Sequence, residues 1–243
     1  MSLILRSSIL SRGRPAFNPI TIPNRWGHYG DSQTGGRATE TNAVNPYQAF
    51  LSMYVASGHT TPTSAIVDGV SGNSLAQHQA RYEADTFLST PWFHVQESGN
   101  QNLDGQRTAS EWGDTFDTFM NLLHTDWPSA LITYETAFSF GREGEAYRNW
   151  TSYNTELYTR VAGLGFTVHV VDTDTYIKAA DNVFGASNVW FQTGDAKAYH
   201  YKGLGNFIVA LAIFDTLGYN VAALDHSGVD LDSGNKATAV ALF

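Results

Sequence analysis

Four stretches of the sequence set hydroxyl, amide, carboxylate and imidazole groups beside glycines. The first, "RWGHYGDSQTGG" over residues 25–36, places Ser32 behind Gly-Asp. A serine hydroxyl is a nucleophile only when a base takes its proton during attack; without one, a serine here is a turn residue or a helix cap. Gly-Asp-Ser arises by chance in roughly one chain in fifteen of this length, so the tripeptide alone does not decide. The second stretch, "DGVSGNSL" over 68–75, has Gly69 and Gly72 bracketing a strand-to-helix corner. Glycine there lets a substrate approach backbone N–H groups at a helix start, or simply makes a tight turn. In the third, "QESGNQN" over 96–102, Asn100 and Asn102 can donate side-chain N–H groups outward or satisfy their own loop. The fourth, "TGDAKAYHYKGLG" over 193–205, supplies Asp195 and His200 just ahead of an apolar segment. An imidazole titrates near neutrality and suits a general base, although a histidine near a helix start is more often a surface or capping residue.

Groups so far apart in sequence can act together only if the fold gathers them. Short β-like runs occur at "SAIVDGV" (64–70), "WFHVQE" (92–97), "SALITYE" (129–135) and "FTVHVVD" (166–172). Between them lie helical segments. Residues 45–57 open on Asn-Pro and set Phe50, Leu51, Tyr54 and Val55 on one face. Residues 74–89 open on Ser74, and residues 110–124 open on Ser110 and group Trp112, Phe116, Phe119, Leu122 and Leu123. Further helices are expected over 149–163 and 203–217. Strands alternating with helices of this length predict an α/β fold with right-handed crossovers, a mostly parallel sheet and helices on both faces. In such sheets working residues gather at the carboxyl ends of the strands, which is where the four stretches fall.

Composition narrows the partners. The 243 residues are 42% hydrophobic, enough for one large core, and a single domain is expected with its centre over about 24–220 between a short N-terminal extension and a C-terminal tail. A formal net charge of −9 argues against a nucleic-acid partner, which needs a basic footprint. With no cysteine there are no disulfides, thiolate zinc sites or cysteine nucleophiles. The longest apolar stretches, such as "FIVALAIF", are too short to span a bilayer, so a soluble protein without a membrane partner is expected. Arginine interrupts the apolar patch of "MSLILRSSILSRGRP", and no signal peptide is expected.

Taken in order, the four stretches resemble the blocks of the SGNH, or GDSL-type, hydrolase family over about residues 25–219. The resemblance implies a three-layer α/β/α sandwich of flavodoxin-like topology and a serine esterase that needs no metal or organic cofactor. It implies Ser32 as nucleophile, His200 as base and Asp195 as the acid that orients the imidazole. The backbone amides of Ser32 and Gly72 and the side chain of Asn100 become the oxyanion donors. His200 stands five residues before Gly205, as the family's H-x-x-x-x-G pattern has it. Two features depart from the family. Its third block usually reads Gly-x-Asn-Asp, whereas here the glycine directly precedes Asn100, which leaves Asn102 as a second candidate. Its acid usually lies three residues before the histidine, where this chain has Lys197; Asp195 is five before, and Asp172 or Asp174 are alternative acids.

The family includes carbohydrate acetylesterases, lipases and thioesterases. No long amphipathic insertion provides a lipase lid, and six tryptophans and twelve tyrosines could stack on sugar rings, although Trp26, Trp92 and Trp190 read as structural. A short acyl ester, foremost an acetylated carbohydrate, is the expected substrate. The extension and tail read as those of a module beside a larger viral or cell-surface assembly. A metal hydrolase is the competing enzyme reading, but no H-E-x-x-H occurs, and "DLDSGN" at 230–235 has Ala241 where a calcium loop needs glutamate. The non-enzyme alternative is a carbohydrate-binding module on a degenerated hydrolase fold.

Overall fold

A computed structural model describes residues 18–31, 34, 45–70, 72–96, 108–137, 150–185, 189–193 and 197–243, with the side chains of Trp150 and of residues 190–200 left aside. The order is β1 (Arg25–Gly30), α1 (Pro46–Ala56), β2 (Ser64–Gly69), α2 (Leu75–Tyr82), β3 (Trp92–Val95), α3 (Ala109–Asp126), β4 (Leu131–Glu135), α4 (Trp150–Gly163), β5 (His169–Val171), α5 (Thr173–Phe184), β6 (Trp190–Thr193), β7 (Lys197–Tyr201), α6 (Gly203–Thr216), a 3-10 turn (Val221–Ala223) and α7 (Ser233–Val240). Strands β1 to β5 form one parallel sheet in the order β2-β1-β3-β4-β5, and β6 and β7 form a separate antiparallel pair.

The strand period of two divides the side chains between two helical layers. Trp26, Trp92, Leu131 and Val171 face α1, α5, α6 and α7 in one apolar cluster. Tyr29, Phe93, Val95, Ile132 and Tyr134 face α2, α3 and α4 in the other. This is the α/β/α sandwich expected from the alternation of runs. The inner strands β3 and β4 are buried along their whole length, whereas the edge strand β2 alternates between exposed and half-buried residues. Helix α6 is buried all round from Leu204 to Phe214, which explains why its segment is apolar without a stripe.

Several boundaries differ from expectation for local reasons. Helix α3 starts one residue early because Thr108 and Glu111 form a reciprocal capping box, with Thr108 N donating to Glu111 Oε2 at 2.7 Å. Helix α2 ends at Tyr82 rather than continuing to 89, since the chain turns away to let Asp85 accept from Tyr29 Oη at 2.6 Å and Phe87 pack on Phe93. Strand β5 begins only at His169, and Phe166 stacks instead on His124 with ring centroids 4.0 Å apart. Strand β1 has no apolar run to announce it, because two glycines and His28 occupy inward positions of "RWGHYG".

Candidate active site

The crossovers bring the ends of β1, β2, β3 and β4 to one edge of the sheet. At the end of β1, Gly30 O accepts from Val70 N at 3.0 Å and from Arg81 Nη2 at 3.1 Å. A Cβ on Gly30 would collide with the side chain of Thr34 and lie 2.8 Å from Gln96 Oε1, so crowding demands the glycine of the Gly-Asp-Ser block. Asp31 is wholly buried. Ser32 lies outside the described residues.

Arg81 joins this edge to β2. Its Nε pairs with Asp68 Oδ2 at 2.7 Å, and its Nη2 also donates to Asp68 O and to His78 Nδ1, each at 3.1 Å. Burial, with the Arg81 guanidinium beside it, pushes the His78 imidazole down to about 3. Beyond β2, Gly72 has φ +80°, a left-handed conformation that glycine adopts without strain, and a Cβ there would meet open space. Asn73 N donates to Val70 O at 3.1 Å to close the turn, and Ser74 N donates to Gln77 Oε1 at 2.9 Å as α2 begins.

At the end of β3, the buried Gln96 accepts through Oε1 from Thr34 Oγ1 at 3.0 Å and, at a longer 3.4 Å, from Asp31 N. Asn100 and Asn102 lie outside the described residues, as does Asp195. His200 is in β7, its backbone opposite Phe191, and its side chain is among those left aside. Its neighbour Tyr201 is buried, which drives its phenol well above the usual range; the carboxylates of Glu135, Asp174, Asp31 and Asp181 add to the shift in that order. Tyr201 packs in the apolar cluster against the start of α6. The glycine of H-x-x-x-x-G is explained by the same contact. A Cβ on Gly205 would lie 2.7 Å from Val189 O and 2.9 Å from Tyr201 Cβ, so α6 can start against β7 only without one.

Sequence reasoning passed over a buried polar row beneath this edge. His94 Nε2 lies 2.7 Å from Glu135 Oε1, and His94 Nδ1 lies 2.8 Å from Thr133 Oγ1, which also accepts from Trp92 Nε1 at 2.9 Å. Next to it His28 is enclosed by Trp26, Tyr47, Trp92 and the His94 ring. Burial, and secondarily the neighbouring His94, lowers its basicity well below the ordinary value, and neither ring nitrogen has a hydrogen-bond partner among the described residues. The period-two spacing of Trp92, His94 and Gln96 was the available signal, since it puts both polar residues on an inward face.

Asp172 caps α5 by accepting from Thr175 N at 3.2 Å, and Asp174 pairs with Lys178 at 2.7 Å. In "DLDSGN", Asp232 Oδ1 caps α7 by accepting from Gly234 N and Asn235 N at 2.9 and 3.1 Å. Trp26 and Trp92 are core residues, meeting edge-to-face with centroids 5.0 Å apart. Among the described residues no helix is long and apolar enough to cross a membrane.

No protein-family model matches the chain, and no curated protein matches it. Solved structures do. A catalytic mutant of Axe2, an acetylxylan esterase from Geobacillus stearothermophilus, superposes with TM-score 0.65 at 18% identity, covering 84% of this chain and 98% of that one. LAE5, an α/β hydrolase enzyme from the metagenome of Lake Arreo, gives TM-score 0.65 at 15% identity over 82% and 97%. A member of the lipolytic G-D-S-L family from Veillonella parvula gives 0.57 at 14% over 79% and 96%. With a five-stranded parallel sheet between two helical layers and these neighbours, the chain has the fold of the SGNH, or GDSL-type, hydrolases.

Proposed function

We propose that the protein is a serine esterase that removes short acyl groups, foremost acetyl, from carbohydrates, in one domain and without a cofactor. The observation that carries the reading is the crowded Gly-Asp-Ser turn at the carboxyl end of β1, in a parallel sheet of the same fold as the esterase and lipase structures. The esterase and lipase names of the structural neighbours support the reaction class, and the acetylxylan esterase among them supports the substrate class.

In this reading Ser32 Oγ attacks the ester carbonyl carbon while His200 takes its proton. Negative charge develops on the carbonyl oxygen, facing the Ser32 and Gly72 amides and the Asn100 side chain, which stabilise it more than the ground state. Collapse of the tetrahedral intermediate breaks the bond to the alkoxy oxygen, which leaves with the proton from His200. Water then adds to the acyl-enzyme with His200 again the base, releasing the carboxylic acid and restoring the serine. Asp195 holds the imidazole and stabilises its cationic form. Of the residues flanking the motifs, Gln33, Asn73 and Gln101 are polar and mid-sized, which suits a short acyl group better than a fatty chain.

The test combines labelling by a serine-directed fluorophosphonate with initial rates on nitrophenyl esters of increasing chain length, and acetate release from acetylated xylan. Labelling at Ser32 is expected, with activity falling steeply from acetyl to butyryl and negligible at octanoyl, because only steric exclusion yields so sharp a preference. Fastest hydrolysis of octanoate would make the protein a lipolytic esterase, and absence of both turnover and labelling would make it a binding module.

A further inference from the structure

The turn that leaves β1 is held by side chains rather than by the sheet. Gln96 N continues the β1–β3 pairing one residue beyond β3, donating to Tyr29 O at 2.9 Å. Past that point the Gln96 side chain takes over. Its Oε1 accepts from Thr34 Oγ1 at 3.0 Å and from Asp31 N at 3.4 Å. These two donors bracket Ser32 in sequence, one residue before it and two after. From the opposite side Asn45, the cap of α1, donates through Nδ2 to Thr34 O at 2.9 Å, while its Oδ1 accepts from Gln48 N at 2.7 Å. Gln96, Thr34, Asp31 and Asn45 are all buried. The missing Cβ of Gly30 makes the arrangement possible, since that atom would occupy the space where Thr34 meets Gln96.

We propose that Gln96 is a positioning residue for the nucleophile: its side-chain carbonyl ties both flanks of the Gly-Asp-Ser turn to the end of β3. The residue that anchors this turn also opens the stretch carrying Asn100, so one side chain links the turn of the nucleophile to the strand that leads to the proposed oxyanion donor. The proposal rests on the esterase reading of Ser32. A buried acceptor left in place while its donor is removed costs more than the hydrogen bond alone, so the anchor is sensitive to single changes. Near-attack geometry degrades with small displacements, so a loosened turn lowers the rate of acylation rather than the affinity for ester.

Thr34→Val removes the donor at nearly constant shape, Thr34→Ser keeps it, and Gln96→Met removes the acceptor. Thr34→Val and Gln96→Met are each expected to lower kcat for p-nitrophenyl acetate about tenfold with KM within about twofold, the factor an ordinary buried hydrogen bond is worth. Thr34→Ser retains the wild-type rate. The double variant Thr34→Val/Gln96→Met is no slower than the worse single one, because both break the same contact. Hydrogen–deuterium exchange supplies a readout independent of turnover: peptides covering residues 27–37 exchange faster in the Val and Met variants and not in the Ser variant, while the α6 peptides are unchanged. An active wild type whose Thr34→Val and Gln96→Met forms keep both kcat and the exchange of 27–37, or raise KM alone, overturns the role of Gln96. A wild type that neither turns over nor labels at Ser32 overturns the esterase reading and this proposal with it, whatever the exchange shows.

Discussion

Lowering the pH from 7 to 5 weakens this fold through two histidines that the native state buries as neutral rings. His28 lies among aromatic rings with His94 alongside, and His78 lies against the Arg81 guanidinium; burial is the larger cause of the lowered basicity in both. The unfolded chain binds protons at these residues at the ordinary value of 6.5, whereas the folded chain does not until far lower, about 3 for His78. Protons are therefore taken up by the unfolded state alone across this window. Stability is full above about pH 7 and falls as the pH drops, by up to about 1.4 kcal/mol per pH unit for each ring. Integrated from pH 7 to 5, His78, neutral in the folded chain down to about pH 3, contributes a loss of about 2 kcal/mol, and His28 adds to it in the same direction. Most carboxylates of an unfolded chain titrate below this window, which leaves histidines as the main contributors. Urea midpoints at pH 7, 6 and 5 measure it; with a slope of about 3 kcal/mol per molar, His78 alone lowers the midpoint by roughly 0.7 M. His78→Gln lowers stability at every pH through its altered contact with Arg81, but it removes one titrating ring. The difference in midpoint between pH 7 and 5 should then shrink by about that amount. An undiminished pH dependence in that variant, or a wild-type midpoint unchanged down to pH 5, would refute the assignment of neutral buried rings.

Ser32→Ala should keep its melting temperature while losing several orders of magnitude of ester turnover, because a triad serine acts as part of a unit; near-normal turnover in the folded variant would remove Ser32 from the chemistry. Asp195→Asn should lower turnover by up to about four orders of magnitude if its carboxylate orients His200. A loss under about tenfold would mean a Ser–His dyad or another acid, and steady-state kinetics decide between them. Gly205→Ala adds a methyl 2.7 Å from Val189 O at the start of α6, and overpacking of this kind costs about 1–3 kcal/mol. Denaturant unfolding reads that loss, and a variant as stable as the wild type would show that β7 and α6 can move apart.

Local chemistry was enough for much of the architecture. The apolar runs of β3 and β4 stand out because burial on the sheet selects apolar and β-branched residues. Helix α1 is announced by Asn45-Pro46, and the structure shows Asn45 and Gln48 forming the reciprocal cap that such a start implies. Helix α5 carries Tyr176, Ile177 and Ala180 on one buried face, a helical spacing present in the sequence but crowded by polar neighbours. The rest depended on long-range packing. Strand β1 is a strand because β2 and β3 flank it, not because "RWGHYG" favours one. The pairing of His94 with Glu135 joins residues 41 apart, and that of Thr34 with Gln96 joins residues 62 apart. No local pattern specifies either, since hydrogen-bond donors and acceptors of these types occur throughout the chain and only the sheet order makes these neighbours. Glycine shows the division most clearly. Gly30, Gly72 and Gly205 are the same letter in three motifs, yet Gly72 is required by its own positive φ while Gly30 is required by Thr34 and Gln96 and Gly205 by Val189 and Tyr201. The first is a property of the backbone at one residue, and the other two exist only once β3 and β7 have packed against their neighbours.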